Sequence, residues 1–401
     1  MLDRVTNLRR RVTNPLSRRV RRGLKLAETA RVVRDRTGKS LAAQAREIAA
    51  LRKKPGMVSA FDYYAYGLYD DARYSSAQKR AFVGWTYKAL QDALNDRTWQ
   101  AICDDKLISY AVFEGLSLPY PEVYAVYQPS GRTFGRVPAL HTPEALVDFL
   151  RTEMRYPFFG KPVRDSHGGG ATSVVSIDRD RDRLTLADGT ETDVEDYVTS
   201  GPVRWVGGQR RQSSLKSGYL FQSRIVQHPV VERLSGGRVS SLRMVVLLWP
   251  DGPRLFRVTW KLPVGANITD HVIGNSGNVK CYVDRDAGRV EEAVRGPGPE
   301  GTEVFALGHH GTPIEAHPDT GEPLKGVELP DWDEAVALCL RAAAAFPGIR
   351  YQSWDLVLSA DGPQVLELNF GGGVLQVPGG PGLNDDEFRQ FMDAVGEYPR
   401  L

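Results

Sequence analysis

Glu367 and Asn369 stand two residues apart in QVLELNF (364–370), a run that otherwise reads as a buried strand. Side chains alternate along a strand, so Leu366, Leu368 and Phe370 are expected on the core face, and Val365, Glu367 and Asn369 on the other. An ionised glutamate is rarely buried without an arginine, a lysine or a metal ion beside it. One strand upstream, Asp355 interrupts the apolar run SWDLVL. Two carboxylates and an amide are hard oxygen ligands that suit Mg²⁺. Spacing by itself leaves a second reading open, in which the three are solvated or salt-bridged residues on an exposed sheet face.

The metal reading makes a geometric demand. The two strands are joined near ADGP (360–363), so they form an antiparallel hairpin. A two-residue turn at Asp361-Gly362 sets Asp355 opposite Leu368, on the wrong face. A three-residue loop sets it opposite Glu367, and a five-residue loop opposite Asn369. Pro363 cannot donate a ladder hydrogen bond, which disfavours the tight closure. The expectation is therefore an odd loop, or a single bulge that restores the parity.

Lys161 lies within a strand over 157–163, followed by a loop with Gly168, Gly169 and Gly170 and a second strand. Backbone amides of such a loop can approach an anion closely, although a flexible hairpin has the same composition. The loop is not a Walker A loop, because no G-K-[ST] opens a helix after the glycines. His167 reads as an ordinary loop histidine. Lys106 precedes a helix with an apolar face of Leu107, Ala111, Val112 and Leu116, and taken alone reads as a surface lysine. Arg243 sits in the apolar strand SLRMVVLLW (241–249), which calls for an anionic partner, either a carboxylate or a ligand. Lys261 and Asn267 open a polar, glycine-rich stretch. His271 and the pair His309-His310 lack metal-ligand spacing.

The order of these features resembles the ATP-grasp superfamily and, more closely, its sugar-transfer-associated group. The resemblance covers roughly residues 100–390. It rests on SSLRMVV, HPDTGEPLKGVELPDWDE and SWDLVLSADGPQVLELNFGGGVLQVPGGPGL. It implies an α+β ATP-grasp fold, two subdomains gripping ATP between antiparallel sheets, with a helical N-terminal extension. It further implies that Lys106 and Lys161 hold ATP phosphates, with Gly168 to Gly170 covering them. The strand with Gln222 and Ile225 would line the adenine pocket, although Gln222 and Ser223 stand where many members have acidic residues. Asp355, Glu367 and Asn369 would bind Mg²⁺, two ions in all. Arg243 and Lys261 would face the reacting group. The implied reaction is phosphorylation of a carboxylate, then attack by an amine or related nucleophile, on a saccharide-linked or amino-acid substrate. The alternatives are a kinase of a hydroxyl group and a non-catalytic ATP-binding partner of a glycosyltransferase system.

The elements that must position these residues follow from patterning. Residues 1–100 read as a basic, mainly helical region and 101–155 as an α/β lead-in. Residues 156–226 read as a subdomain with the glycine flap, and 227–401 as one with the metal site. Thr142 and Pro143 mark one helix start, and Asp331 with Glu334 a capping box at another. The three cysteines are scattered and fit a reducing cytoplasm. Neither a run of about 18 apolar residues nor an apolar signal segment is present. Residues 1–40 hold 13 Lys/Arg against 3 Asp/Glu, and the remainder 39 against 46. This arm reads as a solvated tail or as a contact for an anionic membrane surface at the inner face. The absence of aromatics in it makes nucleic acid the weaker partner.

Overall fold

The computed structural model describes residues 15–53, 56–84, 93–164, 168–208, 218–271, 276–296, 311–370 and 376–396. His167 and the pair His309-His310 lie outside these. The described part of the N-terminal region is helical, with helices Pro15–Thr37, Leu41–Leu51, Ala60–Ala65 and Ser76–Ala81. Two sheets follow. The first contains β1 (Val123–Tyr127), β2 (Ala139–Leu140), β3 (Phe158–Pro162), β4 (Thr172–Asp178), β5 (Arg183–Leu186), β6 (Glu191–Asp193) and β7 (Tyr219–Ser223). Its order is β2-β1-β7-β3-β4-β5-β6, antiparallel throughout except for the β1–β2 pair. The second contains β8 (Ser241–Trp249), β9 (Gly252–Leu262), β10 (Val279–Asp284), β11 (Arg289–Arg295), β12 (Thr312–Pro313), β13 (Tyr351–Ser359) and β14 (Gly362–Asn369). Its order is β12-β11-β10-β9-β8-β13-β14, wholly antiparallel. This is the expected α+β architecture with a helical N-terminal region.

The second sheet is covered on both faces, and this explains its sequence. One face buries Leu242, Met244, Val258, Trp260, Cys281, Trp354 and Leu356 in a large core shared with helices Trp332–Ala344 and Lys106–Gly115. The other face is apolar at one end, where Val245, Leu247 and Tyr351 meet Phe388, Phe391 and Met392 of the helix Asp386–Val395. At its other end that face carries Asp355, Arg243 and Lys261. Strands buried on both sides read as continuous apolar runs, so a charge inside one marks an opening.

The β13–β14 hairpin meets the parity requirement by a bulge. The closing pair is Ser359 with Gly362, a two-residue turn at Ala360-Asp361 rather than at Asp361-Gly362. Gly362 has φ +99°, a backbone that L side chains rarely adopt. Leu356 then pairs with Val365, but Asp355 pairs with Glu367, so Leu366 is the extra residue. The slip corrects the expected faces: Val365 is in the core, and Leu366 is turned out to a cavity.

Helix starts differ in how far they follow the sequence. Thr142 caps Ala145 N–H at 3.2 Å, with Pro143 in the first turn, as expected. Asp331 makes no side-chain cap bond, because its backbone is left-handed (φ 51°) and no capping box closes. For the helix Lys106–Gly115, the Asp105 carboxylate accepts from the N–H groups of Leu107 and Ile108 at 3.1 and 3.3 Å. The buried row is Leu107, Tyr110 and Phe113, whereas Ala111 and Leu116 are exposed, which corrects the expected apolar face. Lys106 is buried, not a surface lysine.

Residues before the first sheet hold the end of β14. Asn95 Nδ2 donates to the carbonyls of Tyr351 (3.0 Å) and Phe370 (2.7 Å), and its Oδ1 accepts from Tyr351 N–H at 2.9 Å. Asn95→Ala is expected to leave these buried groups short of partners and to destabilise the fold by about 2–4 kcal/mol. Urea denaturation followed by circular dichroism measures this; a loss under about 0.5 kcal/mol would contradict the assigned role.

Candidate active site

One cavity of about 1580 Å³ opens between the two sheets. Every residue singled out above as a candidate ligand lines it except Gly170. Lys161 and Gln222 reach it from β3 and β7 of the first sheet, with Ile225 just beyond β7. Arg243, Lys261, Asp355, Glu367 and Asn369 reach it from β8, β9, β13 and β14 of the second. Lys106 enters from its helix, whose first N–H donates to Val163 O at 3.2 Å and so docks beside the end of β3. Arg132 forks onto the capping carboxylate of Asp105 at 2.6 and 3.1 Å.

The glycine loop closes the cavity from the first sheet. Gly168 has φ +67°, and a side chain there would lie 2.6 Å from Thr269 Oγ1 of the opposite loop. Gly170 has φ +69° and packs against the Trp205 ring, where a Cβ would stand 2.6 Å from Cδ2. Both positions therefore need glycine twice over, for backbone and for space.

On the second sheet the charges form a row. Arg243 donates to Asp355 through Nε at 2.5 Å and a terminal nitrogen at 2.9 Å. Lys261 Nζ lies 3.2 Å from Asp355 and 3.6 Å from Asp270. Burial opposes ionisation of Asp355, but Arg243 and Lys261 outweigh it and hold the carboxyl well below the usual range. The carboxylate alternative for the partner of Arg243 is thus the one found. Asp270, whose carboxylate also accepts from the Ser241 hydroxyl, is pushed up by burial against the pull of Lys261.

Opposite this row, Lys161 donates to the Tyr110 hydroxyl at 2.9 Å, and Tyr110 donates to Gln222 Oε1 at 3.2 Å. Burial lowers Lys161 to about 8, opposed by the carboxylates of Glu367 and Asp355.

The end of β14 carries the oxygen donors that could hold a divalent cation. Asn369 Nδ2 leans on Ser353 O at 3.4 Å, which turns the amide oxygen away from that contact. Among the described residues no cation stands within ion-pair distance of Glu367. Asp355 has both oxygens engaged by Arg243 and Lys261, so its part in a cation site is shared with them. The donor set is two carboxylates and an amide, the hard-oxygen chemistry of Mg²⁺.

Some residues were not anticipated. Lys280 pairs in register with Lys261 on the neighbouring strand, is buried, and is lowered to about 8 by burial. A lysine inside VKCYV is the same signal that singled out Lys161. Asp270 sits in a polar loop that offers no such signal. Tyr66, Val83 and Gly84 bring the N-terminal region into the cavity wall.

We found no match among curated proteins. Among solved structures, the ATP-grasp ligase PsnB complexed with a minimal precursor aligns with 17% identity and TM-score 0.32, over 75% of this chain and 57% of that one. An L-amino acid ligase from Bacillus licheniformis aligns with 14% identity and TM-score 0.36, over 67% and 43%. D-alanyl-alanine synthetase A from Vibrio cholerae aligns with 11% identity and TM-score 0.38, over 75% and 62%. The chain thus spans about half the length of the solved structures it matches. A family model matches residues 87–390, and the chain belongs to the sugar-transfer associated ATP-grasp family.

Proposed function

We propose that the protein is an ATP-dependent ligase that activates a carboxylate as an acyl phosphate and joins it to an amine or related nucleophile. The observation that carries this reading is the single cavity between the sheets, with phosphate-type cations on one wall and hard oxygen donors on the other. Lys106 and Lys161 suit the phosphates of ATP, and the backbone of Gly168 and Gly169 suits their outer face. Phe159, Ile225 and Leu366 supply apolar lining for the base. Glu367 and Asn369, with Asp355, would hold Mg²⁺, which when bound neutralises charge on phosphate oxygens.

In the first step a substrate carboxylate oxygen attacks the γ-phosphorus, the bond to the β-phosphate oxygen breaks, and ADP leaves. In the second, the amine attacks the acyl carbon and phosphate departs with the amine proton. Arg243 and Lys261 are fixed positive groups where negative charge moves, and Asp355 holds both in place. A saccharide-linked or amino-acid carboxylate is the substrate class we favour. The test is an ADP-release screen over amino acids and sugar acids, with mass spectrometry of the product. An amide or ester product supports the ligase, and a stable phosphoester would assign a kinase instead.

Lys161→Ala is expected to lower ADP release by about 10²–10³-fold, the loss of about 2.7–4 kcal/mol of charge stabilisation; wild-type turnover by this variant would remove Lys161 from the site. Because Lys161 loses its proton as pH rises through about 8, MgATP affinity should fall above that pH. In Lys161→Arg, whose side chain stays charged, that fall should be absent. Titration calorimetry at pH 7 and pH 9.5 decides it. Glu367→Gln should raise the Mg²⁺ concentration needed for half-maximal ADP release by about tenfold or more. An unchanged requirement would move the metal site elsewhere.

A further inference from the structure

We infer that the first turns of the helix Pro15–Thr37 are a peripheral docking element for an anionic lipid surface. The helix is held to the body by its second half. Leu26, Ala30, Val32 and Val33 pack into the N-terminal core with Tyr63, Tyr64, Tyr66 and Phe82, and Thr29 and Val33 are fully buried. Val20 and Leu24 are 60% and 67% exposed. They lie four residues apart, so they share one face of the helix. Around them the sequence places Arg18, Arg19, Arg21, Arg22 and Lys25, and no acidic residue between Asp3 and Glu28. Arg22 leans toward the body, its guanidinium 5.6 Å from the Phe61 ring centre.

An apolar pair set among arginines is the pattern of a helix that lies in a bilayer interface, its apolar side inserted and its charges at the head groups. Ten residues of helix extend about 15 Å, enough for several basic groups to reach one surface. The charge matches an anionic partner, since residues 1–40 carry 13 Lys/Arg against 3 Asp/Glu. The element has no aromatic residue on which a base could stack, which argues against single-stranded nucleic acid. Among the described residues no helix is long and apolar enough to cross a membrane, so the contact is interfacial. The same small core that carries this helix also places Tyr66 in the cavity wall. Docking would therefore hold the cavity beside the lipid surface, where a lipid-borne substrate is presented.

The test is co-sedimentation of the full chain with vesicles of phosphatidylcholine alone or mixed with phosphatidylglycerol. Pelleting is expected with the mixed vesicles only, and affinity should fall at least tenfold between about 0.1 M and about 0.5 M salt. Each basic side chain near such a surface contributes about fivefold. Arg18→Gln/Arg19→Gln/Arg21→Gln should therefore weaken binding about 100-fold. Val20→Ser/Leu24→Ser should weaken it about tenfold or more. Val20 and Leu24 are exposed, and unchanged circular dichroism of both variants confirms an intact fold. Equal pelleting with neutral vesicles, no pelleting at all, or wild-type binding by the serine variant would overturn the inference. Tighter binding to a duplex oligonucleotide than to the mixed vesicles would reassign the helix to nucleic acid.

Discussion

Asp355 is a carboxylate in the middle of a strand buried on both faces, and the geometry of the site follows from keeping it ionised there. A buried charge without partners costs several kcal/mol. Arg243, opposite it on β8, supplies a two-pronged partner, and Lys261 on β9 a second cation. Removing either cation would leave Asp355 under-compensated, and removing Asp355 would set two cations against each other. The three thus fix one another's positions on adjacent strands, where rotamers are limited by the sheet. Charges that are already placed before a reaction need not reorganise during it, which is the condition for strong electrostatic stabilisation.

The bulge at Leu366 serves the same constraint. Without it, the two-residue turn would pair Asp355 with Leu366, and Glu367 would fall on the core face. With it, one residue is spent in turning Glu367 and Asn369 toward the cavity, and Leu366 becomes part of the lining. A bulge strengthens local twist and re-aims side chains, and here it does so where Glu367 and Asn369 line the cavity.

This arrangement explains what could be read from the sequence. Lys161, Arg243, Asp355, Glu367 and Asn369 each break an apolar run, and in a doubly covered sheet such a break has few other meanings. Lys280 gives the same break on the strand beside Lys261, without an accompanying motif. Lys106 is legible only through the family resemblance, since a first-turn lysine is ordinarily exposed. Burial of Lys106 comes from docking Asp105 and its helix beside β3, a long-range contact that local patterning cannot encode. Asp270 belongs to a loop, whose conformation is set by Asn278 bonding to the carbonyls of Thr269 and His271. The phase of the helix at 106 and the left-handed Asp331 are absent from local patterning for the same reason: tertiary packing decides them.

The N-terminal region is coupled to the site more closely than its separate composition suggests. The family match begins at residue 87, yet the chain that follows β14 is tied to residues before that point. Gln376 brackets Val83, accepting from its N–H at 3.0 Å and donating to its carbonyl at 2.8 Å. Arg73 donates to Pro378 O at 3.1 Å, and the Tyr74 hydroxyl accepts from Gly379 N–H. A side chain on Gly382 would strike Ala81 O at 2.3 Å, so the two segments are packed backbone to backbone. These bonds hold residues 376–379 against the N-terminal region, and Tyr66, Val83 and Gly84 line the cavity. The helical region is therefore part of the cavity's construction.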